Sequence, residues 1–430
     1  MIANFQSFNV TDDTREWRDG LYFLKSHQNQ KYLQDSTDKD KIITPKELLK
    51  KLELNKIKIV GVTGTNGKTT TAAAIYSLFL DLDKKSALQG TRGFYIDDKK
   101  IKNASLTTPS ILETIKNIYT AQKSGCRYFI MEVSSHAIDQ KRVEDIKFCL
   151  KVFTNISQDH LDYHKSMENY IKTKNSFFKD ESLKLINKDD PYVKFNIKNA
   201  YTYGVENPAT FQIMAYSIDK GISAVIRFAN ETADFHSTLI GLFNIYNLTA
   251  AIGAVKILED IPLSKICQKV ENFAGVSGRM EIISHDPLII VDFAHTPDGM
   301  KKVFESFLGK EIVALFGAGG DRDRSKRAIM GKIASQFCKK IYITTDNPRS
   351  ENPREIINDI LAGILQKDKV VVIEDRKEAI KRAIKDLKKE EILLILGKGD
   401  EKYQDIGSKK VPFDDREISK NFVNSLINKD

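Results

Sequence analysis

Residues 57–70 read IKIVGVTGTNGKTT, and this stretch decides the fold of the chain. Apolar residues lead up to a glycine-rich turn, and an alanine-rich, helix-forming segment follows from Ala72. In a strand–turn–helix unit of this kind, the backbone N–H groups of the turn and the helix N-terminus surround phosphate oxygens. Residues 64–70 therefore predict a phosphate loop that binds ATP.

Two side chains of this loop carry specific chemistry. The Lys68 ammonium would reach the outer phosphates of ATP, and the Thr69 hydroxyl would serve Mg²⁺. Val62 stands where the strict phosphate-loop pattern has a glycine, and the chain has glycines at 61 and 64 instead. The alternative is a plain glycine turn before a helix, which the strand–GKT–helix context disfavours. The other loop residues predicted to contact ATP are Gly64, Thr65, Asn66, Gly67 and Thr70.

Length and composition place this loop in a large globular protein. The chain has 430 residues, of which 41% are hydrophobic and 29% charged. That excludes a disordered or fibrous chain, and the length suggests about three domains. Lys and Arg (67) exceed Asp and Glu (58), which gives a net charge of +9. The excess is spread along the chain without an Arg-rich, aromatic patch, so we expect anionic small molecules and no nucleic acid as partners.

The cysteines and the N-terminus indicate a reducing compartment. Four cysteines lie far apart with no paired spacing: Cys126, Cys149, Cys267 and Cys338. Neither a zinc site nor a disulfide framework is suggested. The N-terminus lacks a basic start followed by an apolar stretch, and the apolar runs are too short to span a bilayer. We expect a cytoplasmic monomer without membrane insertion.

The pattern outside the loop predicts an α/β fold with three domains. These are a short N-terminal domain over 1–53, a central phosphate-loop domain over 54–281 and a C-terminal Rossmann-like α/β domain over 282–430. From residue 57 on, short apolar runs alternate with helical periodicity, which indicates mostly parallel sheets. Residues 203–240 alternate as antiparallel strands do, and 244–259 is typical of a helix. Five strand signals follow after residue 283.

Polar residues cluster where the strands of the C-terminal domain end. In open parallel sheets, ligands bind outside the carboxyl ends of the strands. Both α/β domains have polar strand ends, so we predict an active site between them. The C-terminal strand ends hold Asp292, Asp321, Arg322, Asp346, Arg349 and Lys398.

Three further residues, Glu132, His160 and Lys174, are candidates for a role in the site, and each also has a non-functional interpretation. Glu132 ends a strand and could orient Mg²⁺ beside the phosphate loop, although a solvated glutamate has the same pattern. Residues 155–164, NISQDHLDYH, crowd acidic and imidazole groups around His160, and on composition alone a surface loop is as good an interpretation. Lys174 lies in a Lys-rich stretch and would be taken for a solvated lysine.

Together these residues carry a family resemblance. From about residue 57 to the C-terminus, the order and spacing of the motifs resemble those of the Mur ligases, which build the peptide stem of bacterial peptidoglycan. The motifs are TGTNGKTTT (63–71), TTP (107–109), EVSSHA (132–137), NISQDHLDYH (155–164), Tyr170-x-x-x-Lys174, Asn244-x-x-Asn247, GRME (278–281), DFAHTPDGM (292–300) and GGDRDRSKR (319–327).

The resemblance implies an ATP-dependent amide ligase. ATP would phosphorylate the γ-carboxylate of D-glutamate in UDP-N-acetylmuramoyl-L-alanyl-D-glutamate, and an incoming amine would attack the acyl phosphate. DNPR at 346–349 and GKGDE at 397–401 resemble the motifs of members that add meso-diaminopimelate. The N-terminal domain would then bind the UDP substrate, in cytoplasmic peptidoglycan synthesis.

The same resemblance assigns site residues. It implies Lys68, Glu132, His160 and Lys174 as catalytic residues, and Mg²⁺ ligation by Thr69, Glu132, His160 and Lys174, with Lys174 carried as a carbamate (N6-carboxylysine). Asn247, Arg279 and Asp292 match positions that contact adenine, phosphate and ribose. The UDP-muramoyl substrate would contact Thr14, Thr107, Thr108, Ser134, Gln140 and Arg142. Diaminopimelate would contact Arg322, Asp346, Asn347, Pro348, Arg349, Gly397 and Glu401.

Two features depart from the family pattern. The N-terminal domain is about half the usual length, although Asp13-Thr14-Arg15 resembles the family's Asp-Ser-Arg element. Asp400 stands where the family usually has histidine. These differences affect the uridine contacts and the edge of the diaminopimelate pocket.

Several alternative functions stay open at this point. The first is a relative that adds L-lysine, or a folylpolyglutamate-type ligase with the same ATP machinery. The others are a phosphate-loop small-molecule kinase and a non-catalytic nucleotide-binding protein. The kinase gives no role to the second α/β unit, and the binding protein gives none to Glu132, His160 and Lys174.

Overall fold

The computed structural model describes residues 1–33, 39–407 and 409–427. Its first unit is a four-stranded sheet in the order β1-β2-β3-β4, in which only β1 and β2 run antiparallel. The Thr44 side chain caps the helix that follows, with Glu47 completing a capping box. The elements are β1 (Ile2–Asn4), β2 (Asn9–Thr11), β3 (Leu21–Leu24), β4 (Ile42–Ile43) and α1 (Pro45–Lys51).

The central unit is built around an eleven-stranded sheet. The strand order is β15-β14-β13-β12-β11-β10-β5-β9-β6-β7-β8, parallel from β13 to β6 and antiparallel at both edges. The elements are β5 (Lys58–Thr63), α2 (Lys68–Asp81), β6 (Ser86–Gly90), β7 (Gly93–Ile96), β8 (Lys99–Lys102), α3 (Ile111–Lys123), β9 (Tyr128–Glu132), α4 (Ser135–Asp139), β10 (Phe148–Phe153), α5 (Leu161–His164), α6 (Met167–Ser176), β11 (Lys184–Asn187), β12 (Ala200–Gly204), β13 (Phe211–Ser217), β14 (Ile222–Phe228), β15 (Glu231–Ser237), α7 (Leu242–Leu258) and α8 (Leu263–Gln268).

The central strand β5 places the phosphate loop at the sheet edge that forms the site. Its register pairs Val62 with Glu132 of β9 and Thr63 with Phe153 of β10. The carboxyl ends of these three parallel strands therefore meet at one place. Helices α2 and α7 are apolar on almost every face and pack against each other over the sheet, as fully buried helices do.

The C-terminal unit has a six-stranded sheet in the order β16-β17-β21-β18-β19-β20. Only β16 and β17 pair antiparallel, and a hairpin of β22 and β23 follows the last parallel strand. The elements are β16 (Glu281–His285), β17 (Leu288–Asp292), α9 (Pro297–Glu305), β18 (Glu311–Phe316), α10 (Ser325–Phe337), β19 (Lys340–Ile343), α11 (Pro353–Leu361), β20 (Val370–Val372), α12 (Arg376–Asp386), β21 (Glu391–Leu396), β22 (Tyr403–Ile406), β23 (Lys409–Pro412) and α13 (Asp415–Ile427).

The predicted α/β fold is confirmed. The five strand signals after residue 283 form β17 to β21, the antiparallel segment forms β13 to β15, and the predicted helix over 244–259 is α7. The sequence did not indicate β16 or the β22–β23 hairpin. Strand β16 begins at Glu281, so the boundary predicted between 281 and 282 falls inside it.

A buried ion pair ties α12 to the C-terminal helix. Arg376 and Asp415 are both fully buried, and Arg376 Nη2 lies 2.7 Å from Asp415 Oδ2. The same guanidinium group donates to the carbonyl of Leu396 at 2.9 Å, at the end of β21. It therefore holds the strand end from which the 397–401 segment starts.

We expect Arg376→Met to lower the free energy of unfolding by about 3–5 kcal/mol, because it leaves the Asp415 carboxylate buried without its partner. Urea denaturation followed by circular dichroism measures the change. Arg382→Met is the matched control, since Arg382 lies on the same helix with an exposed side chain paired to Asp386. A loss no larger than the control's would contradict this account of the pair.

Candidate active site between the central and C-terminal sheets

A cavity of about 980 Å³ lies between the central and C-terminal sheets. The phosphate loop forms one wall, and the carboxyl ends of the C-terminal strands form the facing wall. It brings together most of the predicted ATP, metal and diaminopimelate residues. Those that line it are Thr65, Asn66, Gly67, Lys68, Thr69, Thr70, Thr107, Glu132, His160, Asn247, Arg279, Asp292, Arg322, Asp346, Asn347, Arg349, Gly397 and Glu401.

The phosphate loop has the backbone geometry that the sequence implied. Gly67 precedes α2 with φ +81°, and a Cβ there would lie 2.4 Å from Asn247 Oδ1, so only glycine fits. Lys68 Nζ donates to the carbonyls of Gly64 and Thr65 at 2.9 and 2.8 Å. Burial lowers the pKa of Lys68, while the Glu132 carboxylate opposes this shift. The ammonium is therefore held inside the loop, where phosphate oxygens would lie.

A hydroxyl and a carboxylate face each other beside the loop. Thr69 Oγ1 donates to Glu132 Oε2 at 2.9 Å, and the Thr91 amide donates to Glu132 Oε1 at 2.8 Å. Glu132 is 2% exposed, so it is not the solvated strand-end glutamate that composition allowed. A threonine hydroxyl and a carboxylate at a phosphate loop are donors that suit Mg²⁺, which usually takes one or two carboxylates plus substrate phosphates.

His160 lines the same cavity. It has φ +54°, in the left-handed region, and its Nε2 is 3.3 Å from Asp159 Oδ2. Burial lowers the pKa of His160, although the Asp159 carboxylate opposes this shift. A neutral imidazole is the form that can ligate a metal. Within the described ranges, no group of three His, Cys, Asp or Glu side chains is close enough to hold a metal by itself.

Lys174 is a buried residue, contrary to what composition alone suggested. It is 1% exposed on α6, and its Nζ donates to the Gly64 carbonyl at 2.8 Å. Burial, together with the Lys68 charge, moves the pKa of Lys174 well below its ordinary value. An amine with a lowered pKa spends more time neutral, which is the form that reacts with CO₂. These surroundings therefore suit a carbamate.

The predicted nucleotide-binding residues lie beyond the loop. Asn247, on α7, accepts a hydrogen bond from Thr71 at 3.2 Å, and the Arg279 guanidinium stacks on the Phe293 ring at 4.1 Å. Asp292 ends β17 and accepts from the Met280 and Ala294 amides at 2.8 and 2.7 Å. Burial raises the pKa of Asp292.

Four of the residues predicted to bind the UDP-muramoyl substrate form one hydrogen-bonded cluster. Thr108 Oγ1 donates to the Glu132 carbonyl at 2.9 Å, and the Ser134 amide donates to Thr108 Oγ1 at 2.9 Å. Arg142 joins them: Nη1 donates to the Thr108 carbonyl at 2.9 Å and Nε to Gln140 Oε1 at 3.0 Å. The cluster is thus continuous with the strand that carries Glu132.

Two UDP predictions lie outside this cluster. Thr107 lines the cavity, and Thr14 lies in the N-terminal unit, where no hydrogen bond or ion pair among the described residues joins it to the cluster. Gln28 does join the cluster, since its Nε2 donates to Gln140 Oε1 at 2.9 Å. No sequence signal points to Gln28, because the contact spans 112 residues between two loops.

The predicted diaminopimelate residues meet at the opposite wall. Asn347 Nδ2 donates to Glu401 Oε2 at 2.8 Å. Arg349 has φ +51°, and its backbone is held by the hairpin, where its amide donates to the Asp405 carbonyl at 2.9 Å. Its guanidinium lies 3.8 Å from Asp405 Oδ2. The pocket therefore has preformed donors and the Glu401 carboxylate, with a second carboxylate, Asp405, beside Arg349.

Lys398 holds two side chains of this pocket, Asn347 and Glu401, in position. Its side chain is fully buried, and Nζ lies 2.9 Å from both Asn347 Oδ1 and Glu401 Oε2. The Asp405 amide also donates to Asn347 Oδ1, which fixes the amide with its NH₂ group toward Glu401. The sequence placed Lys398 at a strand end, but gave no reason to assign it this supporting position.

Comparisons with known proteins agree with this site. Residues 62–255 match the family described as "Mur ligase middle domain", and residues 278–399 match "Mur ligase, glutamate ligase domain". The chain is 53% identical over 410 residues to a UDP-N-acetylmuramoyl-L-alanyl-D-glutamate--2,6-diaminopimelate ligase of Wolinella succinogenes, covering 95% of this chain and 94% of that protein. It is 50% identical over 428 residues to the Helicobacter pylori protein of the same name, covering 97% and 96%.

A solved structure resembles the whole chain. It is named a UDP-N-acetylmuramoyl-L-alanyl-D-glutamate--2,6-diaminopimelate ligase, and it matches with a TM-score of 0.67 at 27% identity, covering 97% of this chain and 95% of that one. The relatives are matched over nearly their full length, short N-terminal unit included. With two family domains in order and a relative at 53% identity, the chain belongs to the Mur ligase family.

Proposed function

We propose that this protein is an ATP-dependent ligase that joins meso-2,6-diaminopimelate to UDP-N-acetylmuramoyl-L-alanyl-D-glutamate. One observation carries the proposal: a single cavity has the Lys68 phosphate loop on one wall and the Asn347, Arg349 and Glu401 pocket on the other. The two relatives at 53% and 50% identity, both named for this reaction, support it. We also propose that the protein is a monomer and that it acts in the cytoplasmic synthesis of peptidoglycan precursors.

The chemistry runs in two steps across the cavity. The γ-carboxylate of the substrate attacks the terminal phosphorus of ATP, which forms the acyl phosphate and releases ADP, and Lys68 stabilises the charge that develops on the transferring group. The neutral amine of the amino acid then attacks the acyl phosphate, forming the amide and releasing phosphate and a proton. Thr69, Glu132, His160 and the carbamate of Lys174 would hold Mg²⁺, which would neutralise phosphoryl charge.

The other candidates fit the cavity less well. A kinase would need neither the second sheet nor the diaminopimelate pocket at its strand ends. A non-catalytic binding protein would have no use for a buried lysine against the phosphate loop. None of the helices in the described part of the chain is long and apolar enough to cross a membrane.

Phosphate release tests the proposal directly. The purified protein should release phosphate from ATP only when the muramoyl dipeptide and meso-diaminopimelate are both present, and the product should gain the mass of one amino acid. Phosphate release with the dipeptide alone, without an amide product, would instead indicate a kinase or a hydrolase. Equal use of glutamate would favour a folylpolyglutamate-type ligase.

We expect a preference for meso-diaminopimelate over L-lysine of about 30-fold to several-thousand-fold in kcat/KM. Only diaminopimelate carries a carboxylate at its far end, and the Arg349 fork suits bidentate binding of that group. Lysine would leave the Arg349 guanidinium with only its contacts to the Asp405 carboxylate and the Gly320 carbonyl. Losing the ligand carboxylate costs roughly 2–5 kcal/mol, with about 1.4 kcal/mol per factor of ten. The measurement is kcat/KM for both amino acids in the native enzyme and in Arg349→Ala.

Arg349→Ala should lose this preference mainly because its kcat/KM for diaminopimelate falls, while its kcat/KM for lysine changes little. Arg354→Ala is the matched control, because Arg354 begins α11 nearby with an 82% exposed side chain paired to Glu374. An unchanged preference in Arg349→Ala, or equal use of lysine by the native enzyme, would refute this role.

A further inference from the structure

One buried cation in the cavity has no place in the mechanism so far. Lys326 lies in the first turn of α10 with 7% of its surface exposed, and it lines the cavity between the two sheets. Among the described residues, its ammonium makes no ion pair and no hydrogen bond. A cation that opens into a ligand cavity without a partner from the protein is suited to an anionic ligand.

The two arginines that flank Lys326 at the start of α10 differ from it because they are paired. Arg327 is fully buried between Glu351 and Asp359, each at 2.8 Å. Arg324 pairs with Asp359 at 3.0 Å. The first turn of α10 carries no acidic residue, and Asp323, just before it, accepts from the Ser325 amide and hydroxyl at 2.9 and 2.6 Å without pairing with Lys326. The start of α10 therefore leaves Lys326 free for a ligand.

The contacts around α10 place Lys326 near the reacting end of the cavity. Gln158 Nε2 lies 3.4 Å from Asp323 Oδ2 and 3.5 Å from Ser325 Oγ, so the start of α10 touches the loop before His160. That loop also touches the phosphate loop, since the Thr65 amide donates to the Asn155 carbonyl at 2.7 Å.

His295 lines the same cavity and feels the Lys326 charge. Burial lowers the pKa of His295 to about 4, and the nearby Lys326 charge adds to that shift. Lys326 therefore lies close to a second polar residue of the cavity wall.

We infer that Lys326 binds one carboxylate of the incoming amino acid, the one on the carbon that bears the attacking amine. This inference rests on the proposed function. Diaminopimelate has a carboxylate at each end, and the Arg349 pocket accounts for only the far one. Arg322 is the other cation predicted to contact diaminopimelate, but it is exposed, whereas Lys326 is buried in the cavity wall. Lys326 belongs to the same domain as that pocket and faces the reacting groups of the central domain. The charge and position of Lys326 suit a permanent anion that lies beside the attacking amine.

The transferring phosphate is the other anion that could meet Lys326. The phosphate loop already gives that group Lys68 and the N-terminus of α2, both on the central domain. A carboxylate partner makes Lys326 a binding residue for one substrate. Removing Lys326 should then raise KM for the amino acid and leave KM for ATP and for the muramoyl dipeptide unchanged.

The first test is steady-state kinetics on Lys326→Met. We expect KM for meso-diaminopimelate to rise about 10-fold or more, as for the loss of a hydrogen bond to a charged group, with the other two KM values within about twofold. Lys326→Arg should recover most of the loss. Lys332→Met is the matched control on the exposed face of the same helix and should behave as the native enzyme.

The second test uses the two enantiomers of lysine as competitors of meso-diaminopimelate. Each enantiomer keeps one amino-acid centre of meso-diaminopimelate and lacks the carboxylate of the other. One enantiomer should bind more weakly to Lys326→Met and normally to Arg349→Ala, and the other should show the reverse. A merely structural role for Lys326 would weaken both enantiomers alike.

The outcomes separate this inference from the proposed function. A native enzyme that does not use meso-diaminopimelate contradicts the proposed function. A native enzyme that uses it, with an unchanged KM in Lys326→Met, overturns the Lys326 assignment alone. A fall in kcat without a change in that KM would point to the phosphate and would also overturn it. Near-native circular dichroism is required of each variant.

Discussion

Lys68→Ala is expected to lower kcat by roughly 10³- to 10⁵-fold, the range found when a cation is removed from a transferring phosphoryl group. The Lys68 ammonium is held by the Gly64 and Thr65 carbonyls inside the phosphate loop. It acts on charge that develops during transfer and packs against no hydrophobic core, so the fold should survive its loss. Phosphate release under saturating substrates measures the effect.

The control for this variant is Lys85→Ala. Lys85 is an exposed lysine of the same domain, paired with Asp97 at 3.1 Å just before β6. Its removal should leave kcat unchanged. A Lys68→Ala enzyme with near-native turnover and an unchanged circular dichroism spectrum would refute the assignment of the phosphate loop.

Lys174→Ala is expected to lower kcat roughly 1,000-fold, and small carboxylates such as formate or acetate should restore part of the activity. The native side chain would carry an anionic carbamate, and an added carboxylate can take its place in the space left by the shortened side chain. The low pKa of the buried amine favours carbamate formation. Activity should therefore also depend on bicarbonate in an enzyme first depleted of CO₂.

Lys172→Ala is the matched control for Lys174, since Lys172 lies on the same helix and is exposed. It should retain full activity with or without added carboxylate. Full activity in Lys174→Arg, which cannot form the carbamate, would contradict the modification.

The sequence predicted the central features of the fold because local signals specify them. The run up to Gly64, the helix after Lys68 and the strand before Glu132 each carry their own pattern. Their parallel pairing follows from the βαβ arrangement. The hairpin of β22 and β23 carried no such signal, since its short strands are mixed in charge and mostly exposed. Strand β16 is only half-buried and lies at the sheet edge.

The site residues that belong to a recognisable sequence motif could be predicted from the sequence. Residues whose role depends on burial in the folded protein were harder to predict. Composition favoured a solvated Lys174, and only the packing of α6 against the Gly64 turn reveals a buried amine. The sequence assigned Lys326 no role beyond its place in the 319–327 motif. The pairing of Arg324 and Arg327 with Asp359, 32 or more residues away in sequence, is what leaves Lys326 apart.

The division of the cavity between two sheets has a consequence for recombining members of this family. The residues proposed for amino-acid choice lie between 322 and 401, and the phosphate loop, Glu132, His160 and Lys174 lie before residue 175. A chimaera that exchanges the C-terminal unit would transfer the choice of amino acid as one block. It would have to retain the hydrogen bond from Asn66 Nδ2 to Asp298 Oδ2, at 3.1 Å, which joins the phosphate loop to α9. Of the residues proposed to bind ATP, only Asp292 would move with the C-terminal unit, so substrate choice could be inherited separately from the phosphate loop and the catalytic residues.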